Sequence, residues 1–398
     1  MSDSGSGDSE DGAEMVPRAR HGSLGAAHTE AMTRPLVEDC ERLGHALVEM
    51  ADGGEPGRVN RPLVEAIGSH GLFDRLFAEA SVTATDLCAI RQGLARVSTA
   101  AETAFAVQGL GAIPIHLAGS AEVRDRLVPE IRRGSLVAAF ALTEPGAGSD
   151  AAALATRAEP DGDGFRLSGE KAYISNAPDA DLYTLFARTT PGAGSRGITA
   201  FVVTSDLNGF SGEPIPMLSP HPLGRLHLDG VFVPGENVLG EVDHGFRVAM
   251  QTLDLFRPSV GAFALGMAEA ALRIATSHAM TRTAFGTPIS DFQGVSHQLA
   301  DVRLAIEAAE LLVYSAAAAH DTGETETLTG KAAMAKLHAT ETAQKAVDTA
   351  IQVLGARGLE ADSTLAHLYL EVRAPRIYEG TSEIQRNIIA RELFNGRI

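Results

Sequence analysis

Residues 136–242 constrain this chain most, because they read as strands between two long stretches of helical pattern. Short β-prone runs recur at 137–143, 164–169, 181–188, 198–204 and 231–233. Gly, Pro, Asp and Asn punctuate them, as tight turns between strands require. Runs this short predict a small β-barrel or sandwich. Before them, Leu36, Cys40, Leu43 and Leu47 recur at spacings of three and four, as one face of a helix does. Leu63, Ile67 and Leu72 predict a second helix and 82–94 a third. Residues 99–117 predict a buried, small-residue helix broken near Pro114, and 121–130 an amphipathic one. After the β-region, helices are expected at 243–284, 291–321, 326–356, 362–374 and near 381–394. The predicted class is α+β. An N-terminal all-α domain covers 28–135, a middle β-domain 136–242, and a C-terminal helical bundle 243–398. Residues 1–27 form an acidic tail. Its first 14 residues carry five acidic groups and no basic one, so disorder is expected there.

Charge narrows the partners. The chain of 398 residues holds 33 Lys plus Arg against 51 Asp plus Glu, a formal net charge of −18. That balance argues against nucleic acid as the main partner. Cys40 and Cys88 form no C-x-x-C, so neither a disulfide framework nor a cysteine zinc site is expected, and a reducing cytoplasm is the simplest setting. No apolar run reaches the roughly 20 residues a membrane span needs, and no secretory signal is read at the N-terminus. His221 and His227 flank Pro222 and Gly224 without an H-E-x-x-H, so no metal site is expected. Gly192 to Gly197 matches G-x-G-x-x-G, but a strand follows rather than a helix, so a hairpin loop is expected instead of a dinucleotide fingerprint.

Two segments carry chemistry. In 140–150, FALTEPGAGSD, a strand opens into a turn with two glycines and two hydroxyls. Glycine lets backbone approach a flat or anionic ligand closely, although a plain turn would look the same. In 377–386, IYEGTSEIQR, Ser382 or Thr381 can cap a following helix. Glu379 sits just before that helix, between an aromatic residue and a glycine. A carboxylate facing a cavity there would have a raised pKa and be a candidate general base.

At these residues the chain resembles the acyl-CoA dehydrogenase family of flavoproteins. ALTEPGAGSD (141–150) is similar to its flavin-loop signature, and 171–176, KAYISN, to the next, with Tyr173 where Trp is common. Val233-Pro234, Asn237, Leu239-Gly240, Gly245-Phe246, Leu253-Asp254, Arg257, 266–271, 282–286, Pro288-Ile289, Phe292-Gln293, 352–355 and 378–386 follow in the family's order. The resemblance runs from about 106 to 394 and is faint before that.

It implies a helical domain, a β-domain and a four-helix bundle assembled as a homotetramer or homodimer, with FAD between the β-domain and the bundle. Phe140, Leu142, Thr143, Gly148, Ser149, Tyr173 and Ser175 would surround the isoalloxazine. Arg282, Phe285 and Gln293 would hold the pyrophosphate and adenine side, an Arg fork suiting phosphate oxygens. Gln352 and Gly355 would reach the FAD of a neighbouring subunit, and Thr381 and Glu383 would lie near the cofactor. Ser149, Asp254, Arg257, Tyr378, Gly380 and Arg391 would contact substrate. The implied reaction is α,β-dehydrogenation of an acyl thioester, acyl-CoA to 2-enoyl-CoA, in fatty acid metabolism. Glu379 takes the α-proton, flavin N5 takes the β-hydride, and electrons pass to an electron-transfer flavoprotein. Some members carry the base beside the Arg that matches Arg257, but Phe256 stands there in this chain and cannot act.

The sequence departs from the family twice. The P-E-x-x-G-G loop is missing from 73–86, and PMLSPHPLGRLHLDG replaces the G-x-R-x-S pattern near 215–230. The second change borders the thioester entrance, which leaves an acyl carrier protein open as an alternative to CoA. An oxidase or a flavin monooxygenase on the same fold, reacting with O2, is a further alternative, as is a binding protein without turnover.

Overall fold

The structure, a computed structural model, describes residues 26–77 and 83–398. The acidic tail lies outside them apart from its last residues, because α1 (Ala26–Asp52) begins inside the segment read as tail. The face of α1 that meets the core is Val37, Cys40 and Leu47, with Leu36 and Leu43 half-buried beside it. Helices α2 (Arg61–Ser69) and α3 (Leu72–Leu76) divide what the spacing of Leu63, Ile67 and Leu72 predicts as one helix. The break falls where Gly71 takes a left-handed conformation at φ 75°. All three of those residues are buried.

Helices α4 (Ala84–Ala95), α5 (Thr99–Ala118) and α6 (Ala121–Arg133) complete the N-terminal helical domain. The expected break at Pro114 does not occur: α5 runs through it. Proline removes one N–H and costs about 3 kcal/mol in a helix interior. Ile113, Pro114 and Ile115 are all buried here, and that packing outweighs the lost bond.

The middle domain is one eight-stranded sheet. Its strands are β1 (Ala138–Ala141), β2 (Arg157–Asp161), β3 (Gly164–Ser175), β4 (Leu182–Arg188), β5 (Ile198–Thr204), β6 (Phe210–Pro214), β7 (Leu223–Pro234) and β8 (Val238–Leu239). The order is β6-β7-β3-β2-β4-β5-β8, with β1 parallel to β4. The G-x-G-x-x-G stretch joins antiparallel β4 and β5, the hairpin loop that the following strand predicts.

Helix α5 fixes where β1 begins. Fully buried Gln108 accepts from Ala138 N at 2.9 Å through Oε1 and donates to Leu136 O at 2.7 Å. Gly111 lies so close to β1 that a Cβ there would meet Ala139 N at 2.5 Å. Any larger residue would push the strand, and the loop that follows it, off the helix.

The C-terminal helical domain comprises α7 (Gly245–Thr281), α8 (Gln293–Asp321), α9 (Thr325–Leu354), α10 (Thr364–Glu371) and α11 (Ser382–Phe394). Helix α7 carries the largest buried set, Val260 to Ala271 among it, and packs on α4, α8 and α9. No helix among the described residues is long and apolar enough to cross a membrane.

Candidate active site

Glu379 lies in the turn before α11 and holds a backbone conformation that side chains rarely adopt, φ 52°, followed by Gly380 at φ 98°. A left-handed residue with a long side chain costs of order 1–3 kcal/mol and persists only where its surroundings enforce it. Thr381 is the cap: its Oγ1 accepts from Ile384 N at 3.3 Å. Of the two capping candidates, Ser382 instead donates to Glu341 at 2.7 Å, and Glu341 in turn pairs with Arg376 at 2.9 Å.

Three cations act electrostatically on the Glu379 carboxyl, and none bonds it. Its Oε2 is buried without a hydrogen-bond partner. Burial pushes its pKa up, and Arg91, Arg257 and Lys336 pull it back only in part. Of the expected substrate residues, Arg257 and Asp254 pair at 2.8 Å on the first half of α7, and Arg257 Nε is buried and unpartnered. Burial raises the Asp254 pKa against the pull of Arg257. Tyr378 is 37% exposed. Arg391 stands apart: it lies in the last turn of α11, exposed, and bonds Glu392 at 3.0 Å.

Three residues of this turn escaped sequence reasoning. Lys336 of α9 is fully buried, and its Nζ donates to Gly380 O at 2.6 Å. Gln385 of α11, also fully buried, donates to Glu379 O at 3.2 Å and Gly380 O at 3.0 Å. Arg91 of α4 is buried, bonds Glu102 through Nε and Ser259 Oγ at 2.8 Å, and faces Tyr378 and Glu379 electrostatically. A lone Lys or Arg on an apolar helix face is the signal that could have found Lys336 and Arg91, since such groups are almost never buried unless paired; Gln385 carried no such signal.

The second group sits at the end of β1 and in β3. Thr143 O accepts from Ala172 N at 3.1 Å, which lays the 143–149 loop along β3. A buried ion pair fastens the two: Lys171 Nζ meets Glu144 Oε1 at 2.8 Å and Leu142 O at 3.2 Å. This brings Phe140, Leu142, Thr143, Tyr173 and Ser175 to one end of the sheet. Tyr173 has φ 58° and is 56% exposed, a flat ring held out without cover. Gly148 and Ser149 are exposed beyond it, and a Cβ on Gly148 would meet nothing within 4 Å.

Arg282, Phe285 and Gln293 form a third group, on the exposed hairpin between α7 and α8. Phe285 is 98% exposed at φ 53°. Arg282 lies 25 residues beyond Arg257 in the sequence, roughly 37 Å along α7 at 1.5 Å per residue. One chain therefore does not bring this group to the first. Gln352 and Gly355, at the exposed end of α9, and Glu383, on the exposed first turn of α11, complete the expected set. Around 215–230, Ser219 and His221 both bond buried Glu371 of α10, His221 Nε2 at 2.7 Å, so this departure from the family ties a loop down onto the helical domain.

Comparison with known proteins agrees with the fold and shows the family. Residues 243–394 match the model of the acyl-CoA dehydrogenase C-terminal domain, and 139–231 that of the acyl-CoA dehydrogenase middle domain. The probable acyl-CoA dehydrogenase FadE25 of Mycobacterium tuberculosis is 37% identical over 77% of this chain and 79% of its own length. The butyryl-CoA dehydrogenase of Megasphaera elsdenii superposes with a TM-score of 0.84 at 31% identity, covering 92% of this chain and 98% of that one. PigA with FAD and proline superposes at 0.83 and 26% identity, covering 93% and 97%. The chain belongs to the acyl-CoA dehydrogenase family of oxidoreductases.

Proposed function

We propose that this enzyme removes the α-proton and β-hydride of an acyl thioester, with Glu379 as the base and FAD as the bound cofactor. The observation that carries the reading is the buried, unpartnered Glu379 Oε2, on which Arg91, Arg257 and Lys336 act electrostatically. A carboxylate without hydrogen bonds is a stronger base than a solvated one, and the cations keep it ionised enough to act.

The residues fit FAD. Tyr173 offers an uncovered flat ring, Thr143, Ser149 and Ser175 offer hydroxyls, and Gly148 leaves room for close backbone approach. Arg282, Phe285 and Gln293 would hold a phosphate and an aromatic ring. Their distance along α7 from Arg257 favours a second copy's cofactor and hence an oligomer, as Gln352 and Gly355 also would serve. FAD, when bound, accepts the β-hydrogen as hydride and hands electrons on to an electron-transfer flavoprotein.

The chain's own part is the proton. An alkyl α-C–H is a very weak acid, so charge developing on the thioester carbonyl must meet donors as the proton leaves. The Glu379 backbone N–H would be one such donor. Tyr378 and Gly380 flank the base and wall the acyl group, and Arg257 with its partner Asp254 borders it from α7. Carrier identity, CoA or carrier protein, would be set at the loop that Ser219 and His221 tie down.

Anaerobic titration with a panel of acyl-CoA thioesters tests the reading. Bleaching of the flavin by one of them is the expected outcome. A flavin-bearing protein that no thioester bleaches would overturn it.

A further inference from the structure

Glu379 and Gly380 hold two successive left-handed torsions, 52° and 98°, and both of their carbonyls are gripped by side chains from other parts of the domain. Gln385 bonds both carbonyls and Lys336 bonds the second, each donor side chain belonging to a residue with no solvent exposure. The helix start does not need them, because Thr381 already caps α11. An ammonium is also a costly way to satisfy one carbonyl, since a buried cation requires a compensating charge. Glu379 supplies part of that charge, with Glu341 and Glu383, and opposes the fall in the Lys336 pKa that burial causes without cancelling it.

We propose that Lys336 and Gln385 are positioning residues for Glu379, clamping the carbonyls of Glu379 and Gly380 so that the base is held in the left-handed turn from which it meets the α-hydrogen. Relaxing Glu379 to an ordinary conformation requires the Glu379–Gly380 peptide to rotate, and that rotation breaks the bonds from Gln385. Lys336 then holds the next peptide from the opposite helix, α9. The approach is close: a Cβ on Gly380 would meet Gln385 Nε2 at 2.6 Å. The clamp acts through Glu379 and touches no reacting atom. The inference rests on the assignment of Glu379 as the base.

The test separates proton removal from redox chemistry. Phenylacetyl-CoA has α-hydrogens but no β-hydrogen. Its α-C–H bond breaks, the proton passes to the Glu379 carboxylate, and in D2O a deuteron returns to the enolate, with no oxidation. Exchange is followed by mass spectrometry for the wild type, Lys336→Met, Gln385→Met and the double variant. Thioester affinity is measured by calorimetry on the same samples.

Each single variant is expected to lose roughly 10²-fold in exchange rate, the cost of a base misplaced by about 1 Å, with affinity unchanged. The double variant is expected to lose little more than the worse single, because two arms of one clamp are not additive. Exchange at the wild-type rate in both single variants, or losses that multiply in the double, would overturn the clamp. Loss of affinity in step with rate would overturn it too, since that marks general disruption. If Lys336→Met fails to fold, Gln385→Met alone decides, by the same rate and affinity criteria. Wild-type protein that exchanges no α-hydrogen would instead overturn the assignment of Glu379, and the clamp with it.

Discussion

Among the described residues, two glutamates each face a fully buried lysine, Lys171 and Lys336, and the two have opposite fates. Glu144 in the β-domain accepts from Lys171 Nζ at 2.8 Å, Ala155 N at 2.5 Å and Thr156 N at 2.9 Å. Burial works against its ionisation, but Lys171 and the backbone donors outweigh it, and its pKa falls. Glu379 has a cation beside it as well, but Lys336 gives its hydrogen bond to Gly380 O, and the carboxyl pKa rises. Burial lowers both lysines to about 8. The residue types are alike, and the hydrogen bonds differ: the Glu144 carboxylate receives three, while Glu379 Oε2 receives none. A carboxylate that is fully bonded is a fastener; one that is surrounded by charge yet unbonded is free to take a proton.

Breaking each pair should therefore give different losses. The largest effect is expected at Glu379. Glu379→Gln should fold, keep its flavin, and lose substrate-driven flavin bleaching by about 10²–10⁴-fold or more. Rapid-mixing absorbance measures it, and wild-type bleaching in the variant would contradict the assignment. Next comes Glu144→Gln, which leaves Lys171 buried beside a neutral partner. Removing one member of a buried pair costs about 3–5 kcal/mol, so the thermal midpoint should fall and the flavin should be released early on heating. A midpoint equal to that of the wild type would show the pair to be dispensable.

Gly380→Ala should cost about 1–3 kcal/mol, from its positive φ and from the contact with Gln385 Nε2. Denaturant unfolding would read the loss. A weaker effect sharpens the contrast through pH. The folded Glu144 pKa is depressed, so its stabilisation is present above the unfolded carboxylate pKa and is lost as pH falls through the folded value. The folded Glu379 pKa is raised, so its contribution holds below the unfolded value and is lost as pH rises through the folded one. At neutral pH, Glu379→Gln should consequently be slightly more stable than the wild type, and the gain should fade in acid. Denaturant midpoints across pH would check the sign, and a gain that grows in acid would reverse it.

The sequence carried the succession of helices, strands and helices, because the apolar spacing in α1 and the continuous apolar runs of β4 and β5 are strong and local. It missed β2 and β6, RAEPD and FSGEP, since each is short, polar and ends near a proline, and pairing with β3 and β7 makes them strands. The motif loops at 141–150 and 377–386 were legible, and so was Thr381 as a cap, because capping is a matter of neighbouring residues. Lys336, Gln385 and Arg91 were not legible as partners of the base. Lys336 lies 44 residues from the carbonyl it holds, and only the packing of α9 against α11 brings the two together. Arg91 looks like one more charge on a helix until α4, α5 and α7 close around it. Arg282 and Phe285 were legible by type, and the unbroken helix α7 is what separates them from Arg257.

The most direct test of the central claim is α-hydrogen exchange from phenylacetyl-CoA in D2O, comparing the wild type with Glu379→Gln under anaerobic conditions. The account predicts steady deuterium uptake by the wild type and uptake at the background rate in Glu379→Gln, with thioester affinity alike in both. Equal uptake in the two proteins would mean that another group removes the proton, and that the unbonded carboxylate of Glu379 is not the base.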